Sequence, residues 1–212
     1  MTTVSSDAMR VDLKKTAWAN GKLTDHIQTA HGNIAVSYQR LGPYCEMMMK
    51  AAEIFEDADA LLSPGDLHLQ VATMLFGRSY GCFIGAVRLS LSGQLSETSI
   101  LLRALLENAL YAFYIANDPQ VANVWLDRHK NKSSEVECKR VFQVGSMWNA
   151  LKAKAPGLAE EAKKYYNTHI DRGAHPNERS VFPNIVIRDG QSSCVLSTTA
   201  RLIHDSSGMQ DL

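Results

Sequence analysis

Arg103 and Glu107 stand four residues apart in a segment otherwise built of leucine, isoleucine and alanine, Ile100-Leu-Leu-Arg-Ala-Leu-Leu-Glu107. An arginine and a carboxylate at that spacing face each other on a helix and can pair. In so apolar a setting the pair is expected to be at least partly buried. Burial makes an ion pair weak evidence for stability, because desolvation offsets the attraction. A structural pair and part of a functional pocket therefore both remain open. Ser96, Ser99, Tyr111 and Tyr114 continue the same stripe, and Leu101, Leu102, Leu105, Ala109 and Leu110 form the opposite side. A second constellation is Tyr165, Tyr166, His169, Asp171, Arg172 and His175. Asp171 and His175 have the four-residue spacing that sets a carboxylate and an imidazole on one side of a metal or a proton relay. A capping or surface histidine explains His175 as well. With no HExxH, ExxH or CxxC elsewhere, no metal site and no cofactor is expected.

Two further patterns concern binding rather than reaction. Gly77, Gly81 and Gly85 recur every fourth residue and share one helical face. Each glycine inside a helix costs about 0.5–1 kcal/mol relative to alanine, so something should offset them. Close packing of another helix, a symmetric dimer contact and a ligand groove are the alternatives. Arg128, His129, Lys130, Lys132, Lys139 and Arg140 form a basic run relieved by Glu135 and Glu137. It could hold phosphate, but a solvated face between helices explains it equally.

These residues need helices to position them. Residues 1–20 are small and polar and read as a frayed or disordered N-terminus. Helical periodicity runs from about Leu23 to Leu62, interrupted at Gly32 and at Gly42-Pro43, and Met47, Met48, Ala51, Ile54 and Phe55 read as an inward stripe. Ser63-Pro64-Gly65-Asp66 reads as the capped start of a long helix over about 66–92, closed by Gly93. Ser96 opens a second, over about 96–117. Asp118-Pro119 starts a third, and Ser134 with Glu137 caps a fourth. Pro156-Gly157 breaks the chain before a last helix, Leu158 to about Ala174, which His175-Pro176 ends. Beyond it, Val181–Ile187, Asp189-Gly190 and Ser193–Thr199 resemble a small β-hairpin. The expected fold is thus an all-α helical bundle around two long antiparallel apolar helices. Residues 21–176 form the bundle domain and residues 177–212 a C-terminal appendage carrying the hairpin.

With 212 residues, 45% hydrophobic and 21% charged, the chain is long enough to bury a core. Its 22 basic and 22 acidic residues cancel, so it lacks the broad positive field of a non-specific nucleic-acid binder. Cys45, Cys82, Cys138 and Cys194 lie far apart and suit reduced, buried thiols. No apolar leader opens the sequence, and Arg78, Arg88, Arg103 and Glu107 interrupt its apolar stretches, so no membrane association is expected and the cytoplasm is the expected location.

The stretch from Gly85 through Glu107 resembles a bacterial family of uncharacterised helical proteins. Members share a glycine-ended helix, an arginine and a glutamate four apart, then aromatics at the positions of Tyr111, Phe113 and Tyr114, and a later helix ending in a histidine before proline, as in Ala174-His175-Pro176. The resemblance spans roughly residues 70–176. That family is similar in outline to the HEPN superfamily, helical bundles associated with nucleotide or RNA chemistry in toxin–antitoxin and antiviral systems. The resemblance implies a ribonuclease-like site only if an arginine precedes a histidine by four to six residues. None of the seven histidines satisfies this: Arg172 lies three before His175, and Arg201 three before His204.

Two functions follow as expectations. One is a non-catalytic module that binds a protein partner or itself, as a homodimer, within a defence or regulatory system. The other is a divergent HEPN-like enzyme acting on RNA or nucleotides. There Arg103, Glu107, Arg172 and His175 would line one cleft, with His175 as acid or base and the arginines holding phosphate. The missing spacing leans the reading away from an enzyme.

Overall fold

A computed structural model describes residues 21–61 and 65–174, together with residue 178 and the segments 185–187 and 194–196. The described chain is an all-α bundle. Helices α1 (Lys22–Arg40) and α2 (Gly42–Leu61) precede the long pair α3 (Leu67–Leu91) and α4 (Leu95–Ala116). Four shorter helices follow: α5 (Pro119–Leu126), α6 (Lys132–Val141), α7 (Val144–Lys154) and α8 (Pro156–His169). A 3-10 turn, Asp127–His129, follows α5, and a π-helical turn, Ile170–Ala174, extends α8. Two three-residue strands, Ile185–Ile187 and Cys194–Leu196, pair antiparallel. The Asp189-Gly190 turn of the expected hairpin, residues 1–20 with their expected fraying, His175 with Pro176 and the remainder of the appendage lie outside the described residues.

The helix ends follow local chemistry. Gly93 adopts φ 84°, which a residue with a Cβ rarely does, and it turns the chain from α3 into α4. Asp118 accepts the amide of Gln120 at 2.9 Å ahead of Pro119, as expected for an N-cap with proline in the first turn. Three expected boundaries shift. Asp66, extended at φ −97° and ψ 152°, is the residue before α3, which begins at Leu67. Asn131 rather than Ser134 caps α6, accepting the Ser134 amide at 2.9 Å, because its side chain stands three residues upstream of that donor. The expected break falls at Ala155, and Pro156 itself starts α8 two residues before the expected Leu158, since a first-turn proline has no helical partner to lose. Gly32 lies inside an unbroken α1.

The α3–α4 hairpin is the spine. The main core gathers Val71, Ala72 and Leu75 of α3, Leu110, Ala112 and Ile115 of α4, and buried residues of α5–α8 such as Met147 and Trp148. On its other side α2 packs through Phe55, whose ring lies 5.2 Å from Phe76 and Tyr80 and 5.5 Å from Phe83. Helix α1 is attached by polar bonds. Asn33 donates to the Ser92 carbonyl at 3.0 Å and Ser37 to the Leu91 carbonyl at 2.8 Å, satisfying the last carbonyls of α3. The methionine-rich stripe of α2 is only half inward. Met47 is 66% exposed and Ile54 68%, because they sit on the arc turned away from Phe55. Among the described residues one helix, α4, is long and apolar enough to cross a membrane by length and composition, with Arg103 and Glu107 inside it. The central helix of a bundle passes the same test, and α4 packs against α3, α7 and α8.

Candidate functional site

The stripe on α4 divides into two environments. Arg103 Nε donates to Glu107 Oε1 at 2.9 Å, as their spacing requires, and both side chains remain partly open, at 27% and 39% exposure. The same carboxylate oxygen accepts the hydroxyl of Tyr166 from α8 at 3.0 Å. The Arg103 guanidinium lies over the Tyr166 ring, 5.6 Å from its centroid, within cation–π range. Tyr166 is itself 8% exposed and meets Trp148 edge-on at 5.8 Å. Further along α4 the chemistry ends. Tyr111 stacks on Phe142 at 4.9 Å and 12°, and Tyr114 meets the same ring edge-on at 5.7 Å. These two tyrosines pack aromatic surface against the core.

Burial, then the hydrogen bond to Glu107, raises the Tyr166 phenol above its ordinary range. Burial alone would lower Arg103, but the bond and charge of Glu107 outweigh it and hold the guanidinium charged. At neutral pH the phenol and guanidinium are both donors, converging on one carboxylate. That arrangement ties α8 to α4 through the Tyr166 hydroxyl.

The last turn of α8 is different. A Cβ added at Gly173 would collide with the Ser96 carbonyl oxygen and stand 3.0 Å from Ser99 Cβ, so the π-helical turn lies directly on the first turn of α4. Glu107 meeting Tyr166 and Ser96 meeting Gly173 make α4 and α8 antiparallel, and they bracket Arg103 on one helix and His169 on the other. The Nδ1 atom of His169 is enclosed and has no hydrogen-bond partner among the described residues. Burial, and secondarily the charge of Arg172, lowers this imidazole below its usual value and keeps it neutral at pH 7. Arg172 is exposed on the π turn, while His175 lies outside the described residues, so no Arg103–His175 geometry follows.

The structure thus joins Arg103 to Glu107 and adds Tyr166, whose role no local spacing shows because its partner lies 59 residues earlier. Gly173 escapes for the same reason. Of the glycine series, only Gly85 is closely approached among the described residues, by Leu101 Cδ1 at 2.8 Å from an added Cβ; Gly77 and Gly81 have nothing described within 4 Å. The basic run is largely neutralised. Lys132 and Lys139 both reach Glu135, at 2.8 and 2.6 Å, Arg140 grips Glu137 at 2.6 and 2.9 Å, and Lys130 meets Asp127 at 3.3 Å. Each pair is local, three or four residues apart, with its cation exposed, the pattern of a solvated face.

No curated protein and no solved structure matches the chain. A family model does, over residues 69–180, from the start of α3 past the π-helical turn. It therefore takes in the Arg103–Glu107–Tyr166 network, His169, Gly173 and the glycine face, and leaves out α1 and α2. The chain belongs to DUF5677, a family of unknown function.

Proposed function

We propose that this protein is a cytoplasmic, self-associating helical module that assembles through the outer face of α3. The observation that carries the reading is the pair Gly77 and Gly81, which face open space. Two helical glycines weaken α3, and nothing within the described residues packs on them in return. They are flanked by Met74, 76% exposed, and Ile84, 47% exposed. An apolar, small-residue strip of this kind lets a second backbone approach closely, and contact with another copy would offset the loss. Such a role fits a regulatory or defence component whose function is exerted through a protein partner.

The test is the mass of the wild-type chain by size-exclusion chromatography with light scattering, beside Gly81→Leu. A wild-type dimer that Gly81→Leu converts to monomer supports the reading. A wild-type monomer, or a dimer unchanged by the substitution, removes it.

A second reading, a divergent HEPN-like enzyme acting on RNA or nucleotides, is favoured by one observation: the neutral, half-buried His169 with its enclosed, unpartnered Nδ1 beside Arg172. In that reading His169 joins His175 as a candidate acid or base. Arg103 is less suited to holding phosphate, because Glu107 and the Tyr166 ring already engage it. Hydrolysis of labelled RNA by wild type and not by His169→Ala is the corresponding assay.

A further inference from the structure

The outer face of α3 lies beside an apolar pocket of about 160 Å³ between α1, α2 and α3, bordered by Tyr38, Cys45, Met48, Met49, Ile84 and Val87. From the self-association reading, on which this step rests, we infer the contact itself: two copies pair α3 against α3 antiparallel, and Met74 of each seats in this pocket of the other.

Register carries the inference. The exposed stripe runs through Leu67, Met74, Gly77, Gly81, Ile84 and Arg88. Its four middle positions, Met74, Gly77, Gly81 and Ile84, are self-complementary about position 79. In an antiparallel pair centred there, Gly77 meets Gly81 of the second copy twice, so the backbones approach where no Cβ intervenes. Met74 then falls opposite Ile84 of the second copy, at the mouth of the pocket. Met74 is the most exposed large apolar residue among those described. Its unbranched, polarisable side chain suits an irregular apolar socket. A cavity of about 150 Å³ with such a lining admits benzene, so the pocket has room for a thioether end.

Charge favours the same orientation. Arg88 of one copy falls opposite position 70 of the other, one helical turn from the exposed Asp66. A parallel pairing would instead set Arg88 against Arg88 and Met74 against Met74, leaving both pockets empty. Arg78, also exposed, lies at the edge of the stripe and off the line of contact. Closed twofold symmetry then uses both sockets and leaves no open end for further addition.

Cysteine cross-linking tests the register. Under mild oxidation, a mixture of Met74→Cys and Ile84→Cys chains should give a covalent dimer whose linked peptides join positions 74 and 84. Met74→Cys alone should link to Cys45 of the second copy, inside the socket. Positions 74 and 74 of the two copies are about 15 Å apart in this register, beyond disulfide reach, so a 74–74 link overturns it. Met74→Ala should weaken the dimer dissociation constant by about tenfold or more, while Ile54→Ala, on the far arc of α2, leaves it unchanged. A wild-type dimer without 74–84 or 74–45 links overturns this contact and leaves self-association standing. A wild-type monomer overturns both.

Discussion

The hydroxyl of Tyr166 donates to Oε1 of Glu107 at 3.0 Å, the same atom that receives Arg103 Nε at 2.9 Å. One carboxylate oxygen thus receives a donor from its own helix and a second from α8, and the Tyr166 bond is the one that ties α8 to α4. The two ends of the network should differ on mutation. Tyr166→Phe removes one donor and leaves the ion pair intact, so it should cost about 1 kcal/mol. Glu107→Ala leaves a buried hydroxyl and a partly buried guanidinium without their acceptor, and should cost about 1–3 kcal/mol. Urea denaturation of both variants measures this. A Glu107→Ala chain as stable as wild type would show that the network does not hold these helices.

Glycines in this chain should respond to alanine with opposite signs. At Gly173 the obstacle is the Ser96 backbone carbonyl, which cannot yield as a flexible side chain can. Gly173→Ala should therefore destabilise the fold, separating the π-helical turn from α4. At Gly77 the added methyl meets open space, so Gly77→Ala should stabilise α3 by about 0.5–1 kcal/mol through helix propensity. Denaturation at low protein concentration isolates the subunit from any assembly. If both variants moved in the same direction, the difference in surroundings would not be governing either site.

Glu135 is the clearest titration marker. Hydrogen bonds from Lys132 and Lys139, reinforced by their charges, hold its carboxyl down to about 2. Its side-chain resonance should titrate near that value and return toward the ordinary glutamate range in the Lys132→Ala, Lys139→Ala double variant. Because the folded value lies below the unfolded one, any benefit to the fold is present above the unfolded value and lost as pH falls through the folded one. The group is partly exposed and both lysines are solvated, so the stability change should be slight. An ordinary glutamate titration in the wild-type chain would mean that the two lysines do not hold it.

Much of the framework was readable because it is local. Gly93 and Asp118 act through their own φ angle and their own nearest amides, so neighbouring residues suffice to place them. The Arg103–Glu107 pair is likewise a property of helical spacing. What escaped depends on which arc of a helix is covered. Periodicity groups Met47 and Ile54 with Phe55, but only the position of α3 decides that Phe55 is inside and the other two are not. Gly77, Gly81 and Gly85 look equivalent along the chain, yet Leu101 approaches only the last. Tyr166 and Gly173 acquire their meaning from α4, far upstream, and no pattern around either residue reports that contact.

His169 gives the fold a pH dependence with a definite sign. Burial and the nearby Arg172 lower its folded value below the unfolded value of about 6.5. The unfolded chain therefore binds the proton more readily. Stability from this group is full above the unfolded value and declines as pH falls through it toward the folded value. Wild type should lose stability as pH falls through the unfolded value of about 6.5 toward the lower folded one, relative to His169→Gln, which has no imidazole to charge, and the two should run parallel well above it. The comparison is made by urea denaturation across that range, with the histidine ring resonances followed in parallel. A ring that protonates above the unfolded value would reverse the predicted slope. It would also mean that an acceptor meets the imidazole, contradicting its enclosed, unpartnered Nδ1 and with it the second functional reading.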